Sequence, residues 1–276
     1  MNERRVDAIP GDEYDSSVRQ VSATRYVTPL REGGSLPAIV EGDDLGTYVL
    51  KFRGAGQGVG VLIAELVCGE IARALGLPQP ETVLVYLDPA LARSEPDPEI
   101  QALIKASAGL NLALDYLPGS FAFDPAIGPF PDADLASSIV WFDAFITNVD
   151  RTPRNTNLLI WHKKLWLIDN GAALYFQYNW EGYMERSRAP FPQVKDHVLL
   201  PWASRIPQAD ANAFDLLTPS LLAEIVALVP EEWLGDTPYF ESESAHRAAY
   251  VAYFAHRLQA PRSFVQEAIS AHAQLV

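Results

Sequence analysis

The spacing of apolar residues changes near residue 118. Before it, apolar residues stand in short runs that glycine, proline or acidic turns interrupt, a pattern typical of β-strands. One stretch without proline, residues 61–75, predicts a helix that Gly76 terminates. The predicted strands are RYVTPL, the hairpin AIVEGDDLGTYVLKF, ETVLVYLD and LNLALDYLPGS, and a short helical piece lies near EIQALIKAS.

After Pro118-Gly119 the pattern is mostly helical. Asp132 or Asp134 is a candidate N-cap for a helix through LASSIVWFDAFITNV, and His162-Lys163 joins two short strands, NLLIW and KLWLID. Further helices are predicted in TPSLLAEIVALVP, in residues 244–259 and from Pro261. The order predicts an α+β fold with a flexible N-terminus (1–20), a β-rich N-lobe (21–117) and a mainly helical C-lobe (118–276), the lobes forming one domain.

Composition narrows the class of protein. The 276 residues are 49% apolar and 20% charged, which is sufficient for a packed core. A net charge of −14 repels phosphate backbones, so non-specific nucleic-acid binding is not expected. The only cysteine, Cys68, excludes an internal disulfide, and its apolar helical context predicts a buried thiol. Without a signal peptide or a long apolar run, a soluble cytoplasmic protein is expected.

The chemically richest segment is NVDRTPRNTNLLIWHKKLWLIDNGAAL. Asp150 precedes Asn155 by five residues, and Asp169 ends the second of two short strands, before Asn170-Gly171. Phosphoryl transfer needs a group that holds the acceptor hydroxyl and oxygen ligands for Mg²⁺. Asp150 is the candidate for the first role, and Asn155 and Asp169 are the candidates for the second. The alternative is that all three residues only cap turns and strand ends.

A lysine and a glycine turn precede this segment. Lys51 lies in an apolar strand, either as an exposed residue of an edge strand or as a ligand of the α and β phosphates. Glu65 and Glu70 in the following helix are about 140° apart around its axis, so only one can face Lys51 well. Before the lysine strand, the turn Gly33-Gly34-Ser35 could bind phosphate through its amides or be a plain turn.

This order of glycine turn, lysine strand, glutamate helix, Asp-x4-Asn and Asp-x-Gly resembles the protein-kinase arrangement. In detail, ELVCGEIARALGLPQPE and NVDRTPRNTNLL are similar to segments of the HipA-like kinases, a bacterial family that includes toxin kinases. The resemblance spans roughly residues 25–200. It implies a bilobal fold with the active site in the cleft, ATP and Mg²⁺ as cofactors, and transfer to serine or threonine. It also implies that Glu65 pairs with Lys51, and that Asp115-Tyr116-Leu117 binds adenine through backbone groups.

Two other functions stay open at this level. The first is a small-molecule kinase of the aminoglycoside or choline type, which shares the Asp-x4-Asn and the distal aspartate. The second is a pseudokinase that binds nucleotide or a partner without turnover. An antitoxin-like partner is a further expectation, although the resemblance does not extend to the extra N-terminal subdomain of full-length HipA.

Histidines and aromatic residues add weaker candidates. His197 could approach the active site or be structural, and none of the five histidines has metal-ligand spacing. A set of aromatic residues could form a substrate wall or pack in the core. These residues are Trp161, Trp166, Tyr175, Phe176, Tyr178 and Trp180.

Overall fold

A computed structural model describes residues 17–30, 36–56, 58–235 and 237–275. It is a mixed α/β structure with a β-rich N-terminal region and a helical C-terminal part. The strands are β1 (Arg19–Pro29), β2 (Ala38–Gly42), β3 (Thr47–Lys51), β4 (Thr82–Leu87), β5 (Gly109–Asp115), β6 (Phe121–Ala122), β7 (Leu158–Trp161) and β8 (Lys164–Leu167).

Eight α-helices lie in the described part of the chain, two of them between strands of the N-terminal region. They are α1 (Val59–Ala74), α2 (Pro98–Ala106), α3 (Ala133–Ile146), α4 (Tyr183–Ser187), α5 (Ile206–Leu216), α6 (Pro219–Ala227), α7 (Glu243–Leu258) and α8 (Ser263–Ala273). None of the described helices is both long and apolar enough to cross a membrane.

The first five strands close into a barrel in the order β1-β2-β3-β5-β4. All neighbours are antiparallel except β1 and β4, whose parallel pairing closes the barrel. Strand β3 lies between β2 and β5, so it has no free edge. Strand β1 begins at Arg19, inside the segment predicted to be flexible, and residues 1–16 lie outside the described residues.

The buried apolar residues form two clusters. One fills the barrel and includes Val40 and Leu50 together with Ile104 of α2. The larger cluster joins the helices of the C-terminal part. It also contains the buried face of α1, including Leu62 and Leu66, although α1 lies between two barrel strands in the chain. Helix α1 therefore packs with the helical part rather than inside the barrel.

Most predicted helices form close to their predicted bounds. Asp132 is the N-cap of α3, and its side chain accepts a hydrogen bond of 2.8 Å from the Leu135 amide. Cys68 is buried, as its context predicts. Helix α5 was not predicted, because only Ile206, Ala209 and Ala213 are buried in it and two of these are alanines, which give a weak apolar signal. The segment predicted as an aromatic-rich loop contains the short helix α4.

Candidate active site

Lys51 lies at the end of β3 and faces two carboxylates. Its ammonium donates to Glu65 of α1 and, at 2.8 Å, to Oδ1 of Asp169, which follows β8. Lys51 is only 8% exposed, so the alternative of an exposed edge-strand lysine is wrong. Glu70 instead accepts hydrogen bonds from Arg73 on another face of α1. The Glu65 side of α1 thus meets the end of β3 and the segment after β8.

Glu65 and Asp169 share the ammonium of Lys51, but their pKa values shift in opposite directions. The positive charge of Lys51 holds the pKa of Asp169 well below its usual range. Burial raises the pKa of Glu65 to about 7, because its side chain is enclosed on all sides while Asp169 remains partly exposed. Burial alone would lower the pKa of Lys51, but the charges of Glu65 and Asp169 outweigh it and raise that pKa.

The Asp-x-Gly segment is held against α1. The Asn170 amide donates to Oε2 of Glu65 at 3.0 Å. A Cβ at Gly171 would lie 2.7 Å from Cγ1 of Val61 and 3.0 Å from Oε1 of Glu65, so only glycine fits there. Asp169 itself has a φ of 58°, a left-handed conformation that non-glycine residues adopt rarely and that is common at functional sites.

The loop after α3 presents Asp150. Oδ2 of Asp150 accepts from Nδ2 of Asn155 at 2.8 Å and from Nδ2 of Asn157 at 3.3 Å. Thr152 and Asn155 exchange two backbone hydrogen bonds, and Pro153 between them favours this tight turn. Two side-chain amides therefore orient the Asp150 carboxylate through Oδ2, and neither of them contacts Oδ1.

A buried arginine links this loop to the Asp-x-Gly segment. Arg151 donates to Oδ2 of Asp143 at 2.6 Å, to the carbonyls of Asn157 and Ile168, and to Oδ1 of Asn170 at 3.0 Å. Both side chains of the Arg151–Asp143 ion pair are inaccessible to solvent. Burial would raise the pKa of Asp143, but the Arg151 cation and the hydrogen bond from His197 together outweigh burial and lower that pKa.

His197 completes the same network. Its Nδ1 accepts from the Leu199 amide at 3.0 Å, so the proton is on Nε2, which donates to Asp143 at 2.8 Å. Asn148 donates to Asp143 and accepts from the Asp150 amide. His197 is thus structural, one of the two roles considered from sequence.

The sequence analysis did not identify several members of this network. Polar residues in apolar helices, such as Asp143 in IVWFDAF, were the available signal, since a buried polar group needs partners. The residues that it missed are Asp143, Asn148, Arg151, Asn157 and Asn170.

The donor set suits Mg²⁺. Because Asn155 donates through Nδ2, its Oδ1 can bind a cation, and the Asp169 side chain is 45% exposed although its Oδ1 accepts from Lys51. Within the described ranges no group of three His, Cys, Asp or Glu could hold a metal alone. A cation at this site would therefore take its remaining ligands from phosphate and water, as Mg²⁺ usually does.

Other predicted ATP-binding residues lie around the barrel. Asp115 ends β5, and its amide donates to the Glu81 carbonyl, while the Tyr116 amide donates to the Thr47 carbonyl. Both amides are thus used by the fold, and the Leu117 carbonyl accepts from Ser120. Gly33, Gly34 and Ser35 fall in the β1–β2 connection but outside the described residues.

The six aromatic residues occupy different positions, and Trp166 is buried outside the larger cluster. Phe176 and Trp180 are buried in the larger cluster, whereas Trp161 donates to the Pro118 carbonyl. Tyr175 and Tyr178 are 52% and 44% exposed and line a cavity of about 320 Å³ beside Lys51 and Asp169. Only these two are in the position expected of a substrate wall.

Comparison with known proteins identifies a family and a similar fold. A family described as HipA-like kinase matches residues 24–263. A solved structure of the Helicobacter pylori proinflammatory kinase CtkA is similar over 94% of this chain and 99% of its own, with 12% sequence identity and a TM-score of 0.53. At that identity the likeness shows the fold alone. No curated protein matches the chain.

Proposed function

Since the chain belongs to the HipA-like kinase family, we propose that it transfers the γ-phosphoryl group of Mg-ATP to a serine or threonine hydroxyl. Family membership and the kinase-like neighbour support a phosphotransferase of the kinase type. The ATP and Mg²⁺ dependence, the acceptor and the residue roles are our proposal, and so is a cleft between two lobes as the place of reaction.

The observation that carries the proposal is the position of Lys51. A buried lysine bonded at once to a helix glutamate and to the aspartate of Asp-x-Gly brings a phosphate-binding cation next to a metal-binding carboxylate. A structural ion pair would not need a carboxylate that is 45% exposed, as the Asp169 side chain is, nor the acid on the neighbouring loop.

In the proposed reaction Asp150 acts on the acceptor. Its free Oδ1 accepts the hydrogen bond of the acceptor hydroxyl and takes the proton as the oxygen bonds to the γ-phosphorus. The bond from the γ-phosphorus to the bridging oxygen breaks, and ADP leaves with that oxygen. Lys51 compensates negative charge on the α and β phosphates, and backbone groups near Asp115, Tyr116 and Leu117 hold the adenine. Mg²⁺, held by Asn155 and Asp169, would neutralise charge on the β and γ phosphates.

Two isosteric substitutions test these roles. Asp169→Asn should weaken Mg-ATP binding and stop transfer, because a cation ligand loses its charge. Asp150→Asn should also stop transfer but leave Mg-ATP binding intact. Binding is measured as the Mg-dependent melting shift with a non-hydrolysable ATP analogue. At 100 times the dissociation constant the ligand adds about 2.7 kcal/mol, a shift of roughly 5–10 °C for a chain of this size.

The outcomes separate the competing functions. A shift that is lost in Asp150→Asn and kept in Asp169→Asn would reverse the two roles. A normal shift in the wild type without autophosphorylation or transfer to any acceptor would favour the pseudokinase, and transfer to choline or an aminoglycoside would favour the small-molecule kinase. Absence of a Mg-dependent shift in the wild type would contradict the kinase proposal itself.

A further inference from the structure

The segment between α6 and α7 ties the barrel to the helical part at a place away from the Lys51 ammonium. Oε2 of Glu232 accepts a hydrogen bond of 3.0 Å from Nη1 of Arg53, which lies two residues after Lys51. The next residue, Trp233, donates from Nε1 to the Leu110 carbonyl of β5 at 3.2 Å. Two adjacent residues, which we call the 232–233 turn, therefore hold two segments of the barrel.

Arg53 is fixed to the barrel through its backbone. Its amide donates to Oδ1 of Asn111 at 2.8 Å, and Asn111, which is fully buried on β5, donates to the carbonyls of Ser107 and Gly109. Gly109 has a φ of 100°, and a Cβ there would lie 3.1 Å from Nη1 of Arg53, so a side chain would crowd the guanidinium. The barrel therefore determines where Arg53 meets the 232–233 turn.

The 232–233 turn is also fixed on the helical side. Trp233 is 3% exposed and packs in the larger cluster, which contains the buried face of α1. The turn contacts α1 directly as well. One short segment thus contacts both the barrel and the helix that carries Glu65.

The Arg53–Glu232 ion pair is outside the candidate active site. Neither residue lines the cavity beside Lys51. The two side chains are 23% and 45% exposed, and a partly exposed pair adds little to the free energy of unfolding. The exposed ion pairs of Arg25 and Arg205 each join residues within one part of the chain, whereas this pair joins the barrel to the helical part. Its position rather than its strength distinguishes it.

The bonds of Lys51 alone do not hold the two parts together throughout the proposed reaction. Lys51 is bonded to Glu65 and Asp169. When Mg-ATP binds as proposed, Lys51 turns to the phosphates and Asp169 to the cation, so their direct bond is exchanged for bonds to the ligand. The 232–233 turn lies outside this exchange. Because Arg53 is only about 7 Å of extended chain from Lys51, a displacement at Arg53 is passed to the lysine.

We propose that Arg53, Glu232 and Trp233 are positioning residues for phosphoryl transfer, which keep the lysine at the end of β3 aligned with the metal-binding carboxylate while Mg-ATP is bound. The inference rests on the proposed kinase function. It adds three residues that contact neither the nucleotide nor the acceptor and that act through Lys51. A displacement of about 1 Å at reacting groups can lower a rate by about 100-fold, so a contact of small energy can still set the rate.

Exchange of the two charges tests the proposal. Arg53→Glu and Glu232→Arg each place like charges opposite each other, and the double variant restores the ion pair in the reverse orientation. Transfer is measured with radiolabelled Mg-ATP and a library of peptides that each carry one serine or threonine, at a temperature at which circular dichroism shows every variant to be folded. Each single variant should lower the apparent kcat by about tenfold and leave KM for Mg-ATP within about twofold. The double variant should recover most of the lost rate.

Glu231→Arg is the matched control, since Glu231 is exposed, directly precedes Glu232 and is not the partner of Arg53. It makes the same change in net charge and should leave kcat unchanged. Trp233→Phe keeps a ring in the core but removes the donor to the Leu110 carbonyl, so it should lower kcat in the same way as the charge variants.

Three results overturn the positioning role. The first is a kcat in the single variants that equals that of the wild type, even if their melting temperatures fall, because the contact would then be solely structural. The second is a loss of rate that Glu231→Arg shares. The third is a loss that the double variant does not recover, because Arg53 and Glu232 would then act separately.

Failure of the inference can be told apart from failure of the proposed function. The wild type and the single variants should show the same Mg-dependent melting shift with an ATP analogue. A shift that is lost in the single variants overturns the inference alone, because the contact would then serve nucleotide binding. A wild type without the shift, or with the shift but without transfer to any peptide, overturns the proposed function and the positioning role with it.

Discussion

The barrel and the helical part differ in how they hold the two halves of the candidate site. Barrel residues pack in a cluster of their own, which supports Lys51 at the end of β3. The larger cluster contains α3, which precedes the Asp150 loop, and α1, which carries Glu65. The Lys51–Glu65 ion pair therefore joins two separately packed cores.

This difference shows that chain order and packing do not coincide here. Helix α1 lies between two barrel strands in the sequence. Its buried face nevertheless packs against helices from the C-terminal part of the chain, among them α6. Glu65 is thus fixed relative to Asp169 and Asp150, and any relative movement of the two cores would act on Lys51. Three predictions test this division, from the largest expected effect to the smallest.

Removal of Lys51 should have the largest effect. Lys51→Met is expected to reduce phosphoryl transfer by about 10²–10³-fold, because the barrel cation that is bonded to Asp169 is lost. It should also destabilise the protein by about 3–5 kcal/mol, since Glu65 is left buried without its cation. Transfer is measured with radiolabelled ATP, and stability by urea unfolding.

A second variant separates the two effects of this substitution. Lys51→Met combined with Glu65→Gln should recover stability but not transfer, because no unpaired charge stays buried. Lys105→Met, an exposed lysine on α2, is the control and should change neither quantity. Recovery of transfer in the double variant would show that Lys51 serves only the ion pair.

A matched pair of core substitutions tests the independence of the two clusters. Leu66 of α1 and Leu87 of β4 are both fully buried, one in each cluster, so truncation to alanine should cost about 2–5 kcal/mol in either case. All six tryptophans lie at residue 141 or later and report on the helical part. Leu66→Ala should lower the urea midpoint seen by tryptophan emission more than Leu87→Ala does.

Far-UV circular dichroism provides the second probe in that experiment. If both variants shift the tryptophan and dichroism midpoints equally, the chain unfolds as one cooperative unit and the two clusters are not separate in stability. A smaller tryptophan shift in Leu66→Ala than in Leu87→Ala would place α1 with the barrel instead.

The smallest effect concerns pH. The pKa of Glu65 is raised to about 7 by burial, so its contribution to stability is complete below its usual value of 4.5 and is lost as pH rises through about 7. This group alone should make the free energy of unfolding fall between these pH values by up to about 1.4 kcal/mol per pH unit. Glu65→Gln should remove that part of the slope in urea unfolding at pH 5, 6, 7 and 8.

The slope in this pH range can be assigned to Glu65 rather than to the neighbouring carboxylates. Asp169, whose pKa is lowered, affects the free energy of unfolding in the opposite direction. Its contribution to stability is present above the usual aspartate pKa and is lost only in more acidic solution. Glu70→Gln, on another face of α1, is the control and should keep the wild-type slope. An unchanged slope in Glu65→Gln would mean that Lys51 keeps Glu65 ionised throughout this range.

Local patterns were sufficient for most elements of the fold. Strands β2 and β3 and helix α3 were predicted from turn residues, a helix cap and the spacing of apolar residues. These signals are local because hydrogen bonding and burial within one element depend on neighbouring residues. The hairpin of β7 and β8 was also predicted, although His162 and Lys163 at its turn both adopt positive φ without glycine. Helix α5, whose buried face consists of one isoleucine and two alanines, was found only in the structure.

The sequence by itself determined which residues could carry the chemistry, because Lys51, Asp150, Asn155 and Asp169 stand in a recognisable order and spacing. The family resemblance implied that Glu65 rather than Glu70 pairs with Lys51, and the structure shows that pair and brings Asp169 into contact with the same lysine. Only the tertiary structure decided that Arg151 and Asp143 hold the loop and that Tyr175 and Tyr178 line a cavity. The physical reason is that contacts between distant segments depend on packing geometry, whereas spacing along the chain records only which groups are near in sequence.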